Sequence, residues 1–141
     1  MQTSFPYLFS FEQSEHSFLS TEVVRYSSAT AAQAAQKELV KVLAQCQADK
    51  GYKDSTGALV PYAFSEIKNI PAGVVSEGSR VFVRATIDTG ANTRQLLGLY
   101  QFNGAMFTGL YVMTASETPF TDVQVTNWLQ VAATMATRLK G

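Results

Sequence analysis

Two apolar-rich runs, Gln95 to Phe102 and Ala105 to Thr114, lie on either side of Asn103-Gly104. Asn-Gly between two apolar-rich runs is the strongest short-range signal of a two-residue β-hairpin, because a type I′ turn needs positive φ at both central residues. Strands are therefore expected from Gln95 to Phe102 and from Ala105 to Thr114. With Asn103 and Gly104 at the turn, Phe102 faces Ala105, Tyr100 faces Phe107, Gly98 faces Gly109 and Leu96 faces Tyr111 on one side of the pleat. The other side carries Gln101 with Met106, Leu99 with Thr108, Leu97 with Leu110 and Gln95 with Val112. A one-residue slip would exchange the two sets.

The same reading extends along the chain. Glu22 to Tyr26 has strand character, with two valines and an aromatic residue. Thr30-Ala31-Ala32-Gln33 offers a capping box, and Ala32, Ala35, Leu39, Val42, Leu43 and Cys46 recur at helical spacing up to a left-handed cap at Gly51. Lys50 to Gly57 is a polar turn region. The run from Ala58 to Lys68 reads as a strand, but Pro61 confines it to an edge or delays its start to Tyr62. Ile70 to Gly78 is a loop with an apolar centre, expected at the rim of any pocket. Ser79 to Asp88 is a further strand, with Val81, Val83, Ala85 and Ile87 on one side and Arg80, Phe82, Arg84 and Thr86 on the other. Its turn, Asp88 to Thr93, pairs Val81 with Tyr100 and Val83 with Gly98. A second capping box at Thr121 to Gln124 opens the last helix, whose stripe is Val125, Trp128, Leu129, Ala132, Ala136 and Leu139.

These elements place the chain in the α+β class. An antiparallel sheet of about five strands carries two main helices in the order strand, helix, strands, helix, as an α/β sandwich. One domain spans residues 1–141. Residues 1–20 form an arm too apolar to be a free tail, with Phe5, Tyr7, Leu8, Phe9 and Phe11.

Charge narrows the partners. Eleven acidic and eleven basic residues balance, and no block of like charge occurs, which argues against nucleic acid and anionic membrane surfaces. The charged fraction is only 16%, a balance more usual outside the cytoplasm. No apolar run is long enough to span a bilayer, and Met1-Gln2-Thr3-Ser4 lacks the basic start and apolar core of a signal peptide. An exported protein would thus be represented here by its mature part behind an added Met1.

Chemistry is sparse. His16 is the only histidine and lies in the polar stretch Glu12 to Ser17, where it reads as a solvated loop residue rather than a metal ligand or base. Cys46, the only cysteine, excludes an intrachain disulfide and reads as a buried hydrophobe on its helix face. Glu66, Glu77, Asp88, Glu117 and Asp122 sit at turns or strand ends without a common focus. No HExxH, CxxC or phosphate-cradling glycine loop occurs. These observations point away from an enzyme and imply no catalytic residue, metal or cofactor.

Two binding surfaces remain, and the one for a partner protein or another subunit is the preferred reading, with a carrier or sensor of a small amphiphilic or anionic ligand as the alternative. Between sheet and helices, Tyr100, Phe107 and Tyr111 surround two opposed glycines, a groove to be filled by a helix or by a small amphiphilic ligand. Arg80 and Arg84 would hold an anionic head group at its mouth, or else stand as surface residues. On the opposite face Phe82, Leu97, Leu99, Met106, Leu110 and Val112 are too apolar for exposure, so a helix, the arm, a partner protein or a second copy should cover them.

The element order, the hairpin Leu97-Leu99-Tyr100-Phe102-Asn103-Gly104 running into Phe107-Gly109-Tyr111, and the closing Trp128-Leu129-Ala132-Met135-Arg138-Leu139 helix together resemble a known group. The chain is similar to actinobacterial extracytoplasmic sensor-type domains, found in LpqN-like lipoproteins and in the external domain of the receptor kinase PknH. The resemblance covers residues 20 to 140. It implies a lipoprotein or receptor ectodomain that binds a ligand or partner without chemistry of its own. The kinase domains carry paired cysteines; with Cys46 alone, a disulfide-tied cleft does not transfer, and no functional residue is carried over.

Overall fold

A computed structural model describes residues 7–13, 17–71, 79–90 and 92–139. His16 and most of the expected apolar loop, residues 72–78, lie outside them. The elements run β1 (Tyr7–Gln13), β2 (Ser17–Arg25), α1 (Ala29–Ala48), β3 (Gly51–Lys53), β4 (Leu59–Glu66), β5 (Arg80–Asp88), β6 (Thr93–Asn103), β7 (Met106–Ala115) and α2 (Asp122–Arg138). All strand pairs are antiparallel, in the order β1-β2-β7-β6-β5-β4-β3. The α+β class and the order of the central elements match expectation, whereas the strand count of about five was too low. Part of the apolar arm is β1 and the beginning of β2, and the polar turn region hides the three-residue β3. β4 divides its pairing. Leu59 to Pro61 pairs with β3 and Tyr62 to Glu66 pairs with β5, so Pro61 lies in the stretch of β4 outside the β5 ladder.

The central hairpin departs from its expected register. Its two turn residues are Gly104 and Ala105, with Asn103 paired to Met106. Gly104 has φ 58° and no other residue type takes positive φ among the described residues, so the turn needs one left-handed residue rather than two. The partners of each β6 residue therefore move by two positions, which preserves both faces. Phe102 gains Phe107 as its partner in place of Ala105, with ring centroids 5.0 Å apart. The Ala105 carbonyl accepts from the Tyr26 N–H at 2.8 Å, tying the turn to the end of β2. The β5–β6 register is as expected, with Asp88 opposite Thr93 and Val83 opposite Gly98.

The helices lie on opposite faces and make three layers. α2 packs Val125, Leu129 and Ala132 on Phe82, Leu97, Leu99, Leu110 and Val112. Its capping box is formed as expected. Thr121 Oγ1 accepts from the Gln124 N–H, and Gln124 Oε1 accepts from the Thr121 N–H. Two buried glutamines bracket this core. Gln101 donates to the Ala132 carbonyl of α2 at 2.7 Å, and Gln95 donates to the Ser116 carbonyl at 3.0 Å.

On the other face, α1 sets Ala32 against Phe102 and Phe107, with Ala35, Leu39 and Tyr100 packed around them. Its N-cap is Ser28, whose hydroxyl accepts from the Ala31 N–H, rather than Thr30. Its C-cap is Asp49 in an extended conformation, so Gly51 opens β3 instead of closing the helix. Only Ala32 and Leu43 of its twenty residues are buried, whereas α2 buries four of seventeen.

Candidate functional site

The expected partner surface is the floor beneath α2. Phe82, Leu97, Leu99 and Leu110 are exposed by 2%, 0%, 1% and 1%, and Val112 is buried with them. Of the alternatives open for this face, the chain's own helix covers it, so these residues are core and not an open interface. Met106 is half-buried at the hairpin end.

The expected ligand constellation is divided by the sheet. Tyr100, Phe107 and Tyr111 share the α1 face, while Arg84 belongs to the α2 side of β5 and Arg80, at the start of that strand, reaches the hollow beside α1. Arg84 Nη2 donates to the Phe120 carbonyl at 2.7 Å, immediately before α2, and thereby fixes the helix entry. The Arg80 guanidinium lies 5.9 Å from the centroid of the Phe82 ring. Neither arginine stands at the mouth of an aromatic groove.

The groove itself is filled from within. Gly98 faces Tyr111 and Gly109 faces Tyr100, so the two glycines are not opposed. A Cβ on Gly98 would meet the Tyr100 ring at 3.0 Å, and one on Gly109 would meet the Tyr111 hydroxyl at 3.1 Å and Phe107 at 3.2 Å. Aromatic side chains lying over strand glycines replace the packing the glycines lack. The Tyr100 and Tyr111 rings meet edge to face at 5.4 Å, and Tyr100 stacks with Phe107 at 6.1 Å.

The Tyr111 hydroxyl donates to Glu22 Oε2 at 2.7 Å. Burial, then the hydrogen bond to this carboxylate, holds the Tyr111 phenol well above its ordinary value, and burial raises Tyr100 in the same direction. The folded protein keeps phenol protons that the unfolded chain releases near pH 10.0. This stabilisation is complete below pH 10.0 and is lost as the pH rises above it. Urea midpoints measured on both sides of that value should fall with rising pH, and the fall should be shallower in Tyr111→Phe. An equal slope in the variant would show that Tyr111 does not contribute.

The space best placed for a ligand lies under the C-terminal half of α1. A cavity of about 310 Å³ opens there, with Leu43, Val81 and Val83 on its apolar side and Gln36, Gln47, Glu66 and Arg80 around its polar side. Val40 also lines it, while Val40 and the nearby Val42 are 50% and 49% exposed. A second hollow, about 390 Å³, sits at the start of α2 between Lys68, Arg84 and Asp122 and is dominated by polar groups. The α1 cavity was not legible as a site in the sequence. The only signal was apolar residues at Val40 and Val42, too many for the width of the stripe that α1 buries.

Cys46 is half-buried on α1, and the described residues contain no group of three His, Cys, Asp or Glu side chains able to hold a metal. Among them no helix is long and apolar enough to cross a membrane. No protein-family model matches the chain, and no curated protein matches it.

Proposed function

We propose that the chain is a non-catalytic binding module of the extracytoplasmic sensor or lipoprotein type, which holds a small amphiphilic ligand between α1 and the sheet. The observation that carries this reading is the cavity of about 310 Å³ beneath a helix with only two buried residues. Its lining is two-sided, with valines and a leucine facing amides and charged groups, which is the chemistry of a ligand with an apolar body and a polar head. The low charged fraction and the pattern resemblance to actinobacterial sensor domains support a setting outside the cytoplasm. The face beneath α2 is already closed, which moves the weight from a partner protein on that face to a ligand under α1.

Ala44 lines the cavity yet is exposed on α1, so a large side chain there fills space without entering the core. Native mass spectrometry of the protein mixed with lysophosphatidylcholine or a long-chain fatty acid should show a one-to-one adduct. In Ala44→Trp the adduct should fall at least about tenfold, roughly 1.4 kcal/mol of binding. Absence of an adduct with both probes, or an undiminished adduct in a folded Ala44→Trp protein, would sink the reading.

A further inference from the structure

The sheet has two unlike edges. On one side the last strand, β3, has three residues and carries Lys53, and the adjoining stretch of β4 contains Pro61. Short strands, lysines and prolines are the usual means of keeping a sheet edge from pairing with another chain. On the other side lies β1, seven residues long, Tyr7-Leu8-Phe9-Ser10-Phe11-Glu12-Gln13. It contains no lysine, arginine, proline or glycine, and Glu12 is its one charge. One edge of β1 pairs with β2 along its whole length, and no strand among the described residues pairs with the other.

The centre of β1, Phe9-Ser10-Phe11, reads the same in both directions. In antiparallel pairing centred on Ser10, Tyr7 falls opposite Gln13, Leu8 opposite Glu12, Phe9 opposite Phe11 and Ser10 opposite Ser10. Symmetry supplies the Phe9–Phe11 pair twice, and Glu12 does not fall at the register position opposite a second Glu12. An isologous two-fold interface brings the same segment against itself, and the Phe9-Ser10-Phe11 centre then sets aromatic residues opposite each other. We propose that two copies of this chain associate through β1, edge to edge, in this antiparallel register, joining their sheets into one. The inference uses backbone pairing at the edge and does not depend on a ligand under α1. The ladder is small beside the roughly 1,200–2,000 Å² of a standard interface, so the dimer should be weak and concentration-dependent.

Sedimentation equilibrium over a dilution series from micromolar to submillimolar tests this. Wild type should double its mass reversibly. Ser10→Lys and Ser10→Glu each place like charges directly opposite at the two-fold and should remain monomeric with native circular dichroism. An equimolar mixture of the two should recover the doubled mass. A wild-type protein that stays monomeric throughout overturns the proposal, as does a dimer that survives Ser10→Lys or a mixture that fails to recover. Should either variant not fold, hydrogen exchange of the wild type decides. β1 amides protected at high and not at low concentration support the interface, and concentration-independent exchange overturns it.

Discussion

Phe82→Ala is expected to lower stability by about 3–5 kcal/mol, the cost of emptying a buried aromatic site whose walls relax only in part. Phe82 is 2% exposed and lies in the cluster that joins β5, β6 and β7 to α2. Leu99 is its cross-strand partner, while Ile67 and Leu129 belong to the same cluster. Removing the ring therefore loosens the sheet and its helix together. In a chain of this length the loss corresponds to a fall in Tm of roughly 10 °C or more. Urea titration or calorimetry reads it directly. A protein of unchanged stability would show that Phe82 is not part of the chain's own core and would restore it as a surface available to a partner.

Gly98→Val should cost about 2–3 kcal/mol, by overpacking rather than by loss of contacts. The added Cβ would stand 3.0 Å from the Tyr100 ring, and the branched methyl groups reach further. Tyr100 has nowhere easy to go, because Phe107 stacks on it at 6.1 Å and Tyr111 meets its edge at 5.4 Å. The cause is thus a displaced tyrosine, not a displaced helix or a filled ligand pocket. A double-mutant cycle separates these. Shortening Tyr100 to Leu in the Gly98→Val background should recover part of the loss, a coupling on the order of 1 kcal/mol. Additive losses would exclude the ring as the obstacle.

The glycine result also shows how the chain could be read and where reading failed. Face assignment survived an error in the turn because moving a two-residue turn by one position shifts partners by two, and parity is kept. Which residues meet across the strands did not survive. The aromatic match of Phe102 with Phe107 and a turn needing positive φ only at Gly104 prevailed over the Asn-Gly preference. The closing helix was legible because its capping box, its stripe and its boundaries all agree. β1 was harder, since Tyr7, Leu8 and Phe9 are apolar without alternation, a pattern that fits an arm lying on the domain as well as a strand. The site was less legible than the fold. Arg84 has the same sequence context whether it holds an anion or the Phe120 carbonyl, and only the third dimension distinguishes them. Nor could the sequence report how far α1 stands from the sheet, since a loosely seated helix and a tightly seated one share the same apolar spacing.

The pairing of β2 with β7, from Ser17 opposite Thr114 to Arg25 opposite Met106, has a consequence for how the protein is made. Strands adjacent in the sheet are almost a hundred positions apart at one end of this ladder, with Ser17 and Thr114 separated by 97. The N-terminal hairpin leaves the ribosome first, yet one side of β2 waits for its partner until β7 has been synthesised. α2 follows later still, and until it docks the face around Phe82, Leu99 and Leu110 is bare. Closing so long a loop costs chain entropy before any contact rewards it, which puts assembly among the slower topologies for a chain of this size. The newborn chain therefore carries its most adhesive surfaces until β7 and α2 have been made.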